Sequence, residues 1–347
     1  MLISSKSYIF ISNRIILNNS IHTFHLSLDW KLINLLSKID RFDASWTAIE
    51  KREGKNLKHL KAIATVKSTG SSTRIEGAAM TDKEVSILIK NLDTSKLEER
   101  DAQEVAGYFR ALEMILDSFA EINITESNIK SLHNTLLKFS VKDEWHKGGY
   151  KQLNNEVEAM MAGGMKHTIF KTKSPGFETE SAMQSLIDWY QADSETHHLI
   201  KTAAFCYDFV SIHPFQDGNG RMSRLLATLL LLQKGYKWIE YISFEHEIEN
   251  RKVEYYQMLM LCQQQRPGEN IYPWVVFFLD CLNNLQEKLT KKFTVTVNDK
   301  LLTPRDKSIY LFIENNPGCK SGMISKKLDI PLPTVKRILQ TMVEKKI

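Results

Sequence analysis

Apolar residues recur at intervals of three and four along most of this chain, a spacing that predicts amphipathic helices. Leu26, Trp30, Ile33, Leu36 and Ile39 form one such face, Val105, Tyr108, Phe109, Leu112 and Ile115 a second, and Ile129, Leu132 and Leu136 a third. Alternating strand patterns are scarce. The interval 148–175, with four glycines and mixed polarity, breaks the rhythm and predicts a small hairpin or flap. Helical character resumes over Ser185–Tyr190 and Leu199–Ile212. The next helix is expected to start near Gly218–Gly220, carry Leu225, Leu226, Leu229, Leu230 and Leu232, and stop at Gly235, a suitable residue just past a helix C-terminus. The pattern is that of an all-α protein.

Beyond a helical region ending near Thr290, Lys291–Asp299 reads as a linker, and three short helices are expected after it. Thr303-Pro304 starts the first and Asn316-Pro317-Gly318 ends it; Met323–Leu328 is the second; Pro333-Thr334 opens the third after the turn Asp329-Ile330-Pro331. This pattern resembles a winged helix-turn-helix in which Val335–Lys346 is the recognition-like helix and Thr334, Lys336 and Arg337 face DNA, the chain ending at Ile347 before a wing. The expected division is an unassigned segment 1–25, an N-terminal helical region 26–100, a core 101–290, a linker 291–300 and a helix-turn-helix-like module 301–347.

With 347 residues, 43% of them hydrophobic and 25% charged, the chain can bury a sizeable core in two or three domains. No apolar stretch approaches the roughly 18 residues of a membrane span, and Lys201 and Asp208 interrupt the richest one. Ser, Asn and Arg break up the apolar residues near the start, so no secretory segment forms and a soluble, cytoplasmic protein is expected. The four cysteines, Cys206, Cys262, Cys281 and Cys319, are widely spaced without a CxxC and read as free thiols. From Cys319 to Ile347 seven basic residues face two acidic ones, a net +5 that equals the charge of the whole chain. A nucleic-acid role would therefore sit in 319–347 and not in the body, and a dimerisation or docking module with a solvated basic face is the competing reading.

Chemistry concentrates in the run His213-Pro214-Phe215-Gln216-Asp217-Gly218-Asn219-Gly220-Arg221-Met222-Ser223-Arg224. Pro214 disfavours a right-handed helical conformation at His213, so the preceding helix must end there and leave a histidine projecting as a base. Gly218, Asn219 and Gly220 can turn successive N–H groups inward at a helix start, a phosphate cradle without a Walker lysine. Asp217 can hold Mg²⁺ against phosphate oxygens. Arg221 and Arg224, three apart, share a helix face and present two guanidinium forks to a polyphosphate. Together these residues predict a magnesium nucleotide meeting a hydroxyl that His213 deprotonates.

The run matches, at every fixed position, the HPFx(D/E)GNGRxxR signature, and the chain is identified as a member of the Fic family on that basis. The resemblance extends over roughly residues 26–290 and implies an all-helical core with a β-hairpin flap. It implies a protein adenylyltransferase that moves AMP from ATP to a Ser, Thr or Tyr hydroxyl and releases pyrophosphate. By it His213 is the general base, Asp217 the Mg²⁺ ligand, Gly218 and Gly220 part of the anion hole, Asn219 and Arg221 phosphate contacts, and Arg224 the γ-phosphate partner. Phe215, Tyr255 and Tyr256 complete the nucleotide side, while Gln263 stands where an asparagine is often found. The phosphorylating Doc-like branch typically has Lys at the position of Gly220, so glycine favours AMP transfer. The protein substrate is expected on the flap near Asn155–Phe170.

Upstream, Ser72-Thr73-Arg74-Ile75-Glu76-Gly77 fits the (S/T)xxxE(G/N) pattern with which family members restrain themselves. The resemblance implies that Glu76 competes with ATP for Arg224, with Ser72 as the motif's first residue, and leaves open removal of AMP and a homo-oligomer. Gly163-Gly164-Met165-Lys166-His167-Thr168 only loosely resembles a Walker loop, and His146, His167, His197 and His198 lack zinc-ligand spacing. His133 is expected to pack, not to react. Two other readings stand beside adenylyl transfer: a related enzyme moving another phosphate-containing group, and a DNA-binding regulator acting through the C-terminal module.

Overall fold

The computed structural model describes residues 14–18, 23–93, 97–160, 166–293, 296–297, 300–301 and 303–344. It opens on a hairpin, β1 (Arg14–Asn18) against β2 (Thr23–Ser27). Phe24 and Leu26 of β2 are buried, and His25 exchanges backbone hydrogen bonds with Glu269 and Ile271, so part of the unassigned N-terminal segment is stitched into the body.

Asp29 caps α1 (Trp30–Glu53) by accepting from the Leu32 N–H at 2.8 Å. Its buried face is Leu32, Leu35, Ile39 and Trp46, whereas Trp30 is 78% exposed and Ile33 44%. The expected face was therefore displaced. Apolar residues on α1 satisfy helical spacing along two stripes, only one of them meets the core, and Leu26 lies on a strand. Helix α2 (Lys55–Ile75) carries the buried polar run Ser68, Thr69, Ser71, Ser72 and Thr73, small side chains that let it lie close to its neighbours. It ends at Glu76, and Gly77 takes φ +108 just beyond. Thr81 and Glu84 close a capping box on α3 (Asp82–Lys90).

Helices α4 (Arg100–Ser118) and α5 (Glu126–Leu136) bury Val105, Tyr108, Leu112 and Ile115 on one and Ile129, Leu132 and Leu136 on the other, as expected, while Phe109 is only half-buried at the edge of the α4 face. They cross at Gly107, where a Cβ would stand 2.0 Å from the Leu136 carbonyl oxygen. Gly107→Ala is thus expected to cost about 1–3 kcal/mol or more, because backbone and not a flexible side chain must move. A denaturant midpoint indistinguishable from the parent would contradict that close approach.

The expected hairpin is present as β3 (Glu156–Met160) antiparallel to β4 (Lys166–Lys171), with a register shift between Val157 and Glu158. Residues 163–165 of the Walker-like stretch lie outside the described residues, and its remainder is strand. After α6 (Phe177–Ala192) comes α7 (His198–Ile212), buried at every position from Leu199 to Ile212, a central helix with no polar stripe for solvent. Its partner α8 (Asn219–Gln233) is buried nearly as completely. A 3-10 turn over Lys237–Tyr241, α9 (Phe244–Asn250), α10 (Lys252–Gln263) and α11 (Tyr272–Phe293) close the body.

Helix α11 runs past Thr290 into the expected linker, where β5 (Thr296–Val297) then pairs with β6 (Lys300–Leu301). Three helices follow, α12 (Pro304–Asn315), α13 (Ser321–Leu328) and α14 (Leu332–Glu344). Ile309, Phe312, Ile324, Val335, Ile338 and Met342 give them a separate core. Lys336 and Arg337 stand exposed on α14; Lys345 and Lys346 lie outside the described residues.

Candidate active site

The loop between α7 and α8 is where the chemistry gathers. His213 ends α7 with φ 55 and ψ 59, a left-handed conformation that costs a residue with a Cβ roughly 1–3 kcal/mol and so must be imposed by its surroundings. Its N–H still closes the helix on the Phe209 carbonyl at 3.1 Å. The ring Nδ1 lies 3.1 Å from the Val210 carbonyl, which can only accept. The proton therefore sits on Nδ1 and the Nε2 lone pair is left for chemistry. Burial pushes the ring's pKa down to about 4, helped by the nearby Lys151 ammonium, so His213 is an unprotonated base at neutral pH.

Three side chains hold the loop's shape. Asn219 clamps Phe215, its Oδ1 accepting from the Phe215 N–H at 2.8 Å and its Nδ2 donating to the Phe215 carbonyl at 2.7 Å. Phe215 itself is buried and stacks on His133, centroids 3.7 Å apart. The Gly148 N–H donates to Nδ1 of His133, which places the proton on Nε2, and Nε2 donates to the Asp217 carbonyl at 3.0 Å. Burial lowers the pKa of His133 to about 4, matching a neutral ring with both nitrogens engaged. Phe215 and Asn219, taken from the signature as nucleotide residues, thus have their side chains committed to the loop.

The cradle comes next. Gly218 adopts φ +82 at the start of α8, with the Leu136 side chain 3.3 Å from where a Cβ would be. Asp217 is half-buried; burial works against its charge, but Arg221 and the Gly218 N–H hold its carboxyl below the ordinary range. Both interactions fall on Oδ1, at 3.3 Å from Arg221 and 2.6 Å from Gly218, so Oδ2 remains for a cation. That donor set suits a magnesium ion carried by nucleotide phosphates, which needs one carboxylate oxygen from the protein. Among the described residues no cluster of three His, Cys, Asp or Glu side chains could hold a metal unaided.

Arg221 and Arg224 are both 2% exposed. Arg221 Nη1 lies 3.3 Å from Glu104 and its Nη2 3.3 Å from Asp217, as ion pairs, and its Nε has no hydrogen-bond partner. Buried donors of this kind are costly unless something fills the space before them. Arg224 donates from Nε to Ser72 Oγ at 2.8 Å and from Nη2 to the Ser72 carbonyl at 3.0 Å and Glu76 Oε1 at 2.7 Å. Its Nη1 is orphaned. Gly220 allows this approach, since a Cβ there would stand 2.5 Å from Glu76 Oε1. Tyr255 and Tyr256 pack edge to face at 5.1 Å beside Arg224 and Glu76, and burial raises the Tyr255 hydroxyl to about 12.

The end of α2 is itself anchored. Arg74 donates to Glu249 from Nε at 2.6 Å and from Nη2 at 3.0 Å, and Lys252 Nζ donates to the Ile75 carbonyl at 2.6 Å. Glu76 is held on Arg224 by a braced helix terminus. At the flap's base Lys151 donates to Asn155 at 2.9 Å and Thr172 at 2.8 Å, its N–H bonds the Pro214 carbonyl, and Asn155 donates to the Phe215 carbonyl at 2.9 Å. The hairpin and the His213 loop are thereby tied together. Gln263 is buried and donates to Ser211 Oγ at 2.9 Å.

Of the residues expected to form the site, His213, Asp217, Gly218, Gly220, Arg221, Arg224, Ser72, Glu76, Tyr255 and Tyr256 converge on this region. Glu104 is an addition that no local motif marked, while Lys151 and Asn155, expected only as part of the flap and its approach, also bond to the His213 loop. Residues 123–231, which contain both the loop and its His133 support, match the model described as the Fic/DOC family. The chain carries a Fic/DOC domain. It is similar to a protein adenylyltransferase Fic from Drosophila willistoni, 28% identical over 252 residues, which are 71% of this chain and 45% of the relative. The chain thus spans under half the length of that Fic relative. A Fic domain containing signaling protein from Bacteroides thetaiotaomicron superposes with a TM-score of 0.60 at 27% identity, covering 73% of this chain and 96% of that one. A Fic family protein from Desulfovibrio desulfuricans G20 shares the fold with a TM-score of 0.64 at 24% identity, covering 92% and 90%. The all-α Fic architecture with a hairpin flap is therefore the fold of this chain. No helix among the described residues is long and apolar enough to cross a membrane.

Proposed function

We propose that this chain is a self-restrained protein adenylyltransferase. The observation that carries the reading is a free His213 Nε2 beside an N–H cradle and two buried arginines with orphaned donors. A target hydroxyl on the flap attacks the α-phosphorus of ATP while His213 Nε2 takes its proton. The new oxygen–phosphorus bond forms as the bond to the β-phosphate oxygen breaks, and pyrophosphate leaves. The N-terminus of α8, Arg221 and Arg224 neutralise charge on the phosphates. Asp217 would hold the magnesium ion, which supplies charge neutralisation on the phosphate oxygens. The hairpin β3–β4 offers backbone for strand addition, which would align a target segment with little side-chain code.

Glu76 supplies the restraint by occupying the guanidinium that the γ-phosphate requires. The name carried by the Drosophila relative supports AMP as the transferred group, as does Gly220. The position of the label decides the chemistry. With ATP labelled at the α-phosphate, target protein should become labelled and remain so after denaturation, whereas ATP labelled at the γ-phosphate should leave it unlabelled. The opposite pattern would identify phosphoryl transfer and overturn the assignment.

A further inference from the structure

Away from the catalytic loop, a cavity of about 470 Å³ opens between α2, α9, α11 and α12. Its size falls in the range of small-ligand sites. Four ammonium groups line it, Lys67 from α2 and Lys288, Lys291 and Lys292 from α11. Two carboxylates, Glu247 and Glu314, share the space, too few to balance four ammoniums. Glu247 is already bonded to Lys288 and accepts from Asn284 at 3.3 Å. Glu314 attracts Lys292, yet among the described residues Lys67, Lys291 and Lys292 form no ion pair.

Gathering like charges around a partly enclosed space is unfavourable, and the side chains register it. Burial, with Lys67 and Lys288 close by, holds the Lys292 ammonium below its ordinary pKa, and burial followed by Lys67 does the same to the His246 ring on another wall. Lys288 and Lys291 reach solvent, whereas Lys67 and Lys292 are only partly exposed and are screened less by water. Besides His246 and Ser243, the rest of the lining is apolar or aromatic, including Leu60, Ile63, Leu285, Tyr241 and Tyr310.

We propose that this cavity binds a small phosphate-bearing organic anion, its phosphate against Lys67, Lys291 and Lys292 and its organic part against the two tyrosines. The site is separate from the transfer reaction and does not depend on it. Because Lys67 stands on the helix that ends at Glu76, an anion there would cross-link that helix to α11 and α12.

Pyridoxal 5′-phosphate tests this with the unaltered full chain, since its phosphate seeks the site and its aldehyde condenses with an adjacent lysine to an imine that borohydride then fixes. At low probe concentration, peptide mapping should find the label on Lys67, Lys291 or Lys292 on the order of tenfold above exposed lysines such as Lys83. Inorganic pyrophosphate should suppress it, and pyridoxal lacking the phosphate should not reproduce it. Label spread over exposed lysines, or equal labelling at the cavity by pyridoxal, would overturn the proposal.

Discussion

Replacing Glu76 by Gly is expected to raise AMP incorporation from α-labelled ATP on the order of 10- to 100-fold in purified protein. The Glu76 carboxylate accepts from Arg224 Nη2 at 2.7 Å. A charge-assisted hydrogen bond contributes about 1.5–3 kcal/mol, and about 1.4 kcal/mol is a factor of ten. Glu76 is 31% exposed, which favours the lower end for the pair itself. Mispositioned phosphates add a second cost, because misplacement of about 1 Å can lower a rate by roughly 10²-fold. The substitution spares the scaffold, since Glu76 lies at the end of α2 and Arg224 keeps both of its bonds to Ser72. Glu76→Gln should fall between the parent and the glycine variant, keeping the bulk and losing the charge. An unchanged rate in Glu76→Gly, with its melting temperature preserved, would show that the contact does not restrain the enzyme.

The two halves of that contact differ in how far the sequence reveals them. Arg224 belongs to a contiguous run whose base, cradle and guanidiniums are dictated by local backbone geometry, so residue types at fixed spacing disclose them. Glu76 is legible only because a short motif contains it; nothing local says that its carboxylate crosses to α8, and the glycine that admits it, Gly220, reads equally well as a cradle residue. Partners supplied by tertiary packing left no trace. Glu104 reaches Arg221 from α4 as one polar residue among many, and the bond from Lys151, itself readable as part of the approach to the flap, to the His213 loop is equally unmarked. Asn219 shows a different loss, since its place in the signature does not say whether its amide faces phosphate or clamps Phe215. The helices themselves were readable where one apolar stripe dominates, as on α4 and α5. On α1 two stripes compete, and the exposed Trp30 and Ile33 show that periodicity alone cannot choose between them.

His213→Ala, made in the Glu76→Gly background so that there is activity to lose, is expected to lower AMP transfer by about 10²–10⁴-fold or beyond detection, the range for a lost general base. Nucleotide affinity should change little, because the groups proposed to face the phosphates, Gly218, Gly220, Arg221 and Arg224, are not hydrogen-bonded to the imidazole. The split between lost transfer and retained ATP binding, read by calorimetry on the same preparation, separates a missing base from a collapsed loop. Collapse has its own signature here. His213 closes α7 through its backbone, and its Nδ1–H satisfies the Val210 carbonyl, a bond the alanine variant cannot make. Some stability should therefore be lost, on the order of 1 kcal/mol for one hydrogen bond, while the Asn219 clamp and the His133 stack on Phe215 continue to hold the cradle. Transfer persisting at the parent's rate would remove His213 from the chemistry. Loss of ATP binding together with transfer would instead assign it to building the site.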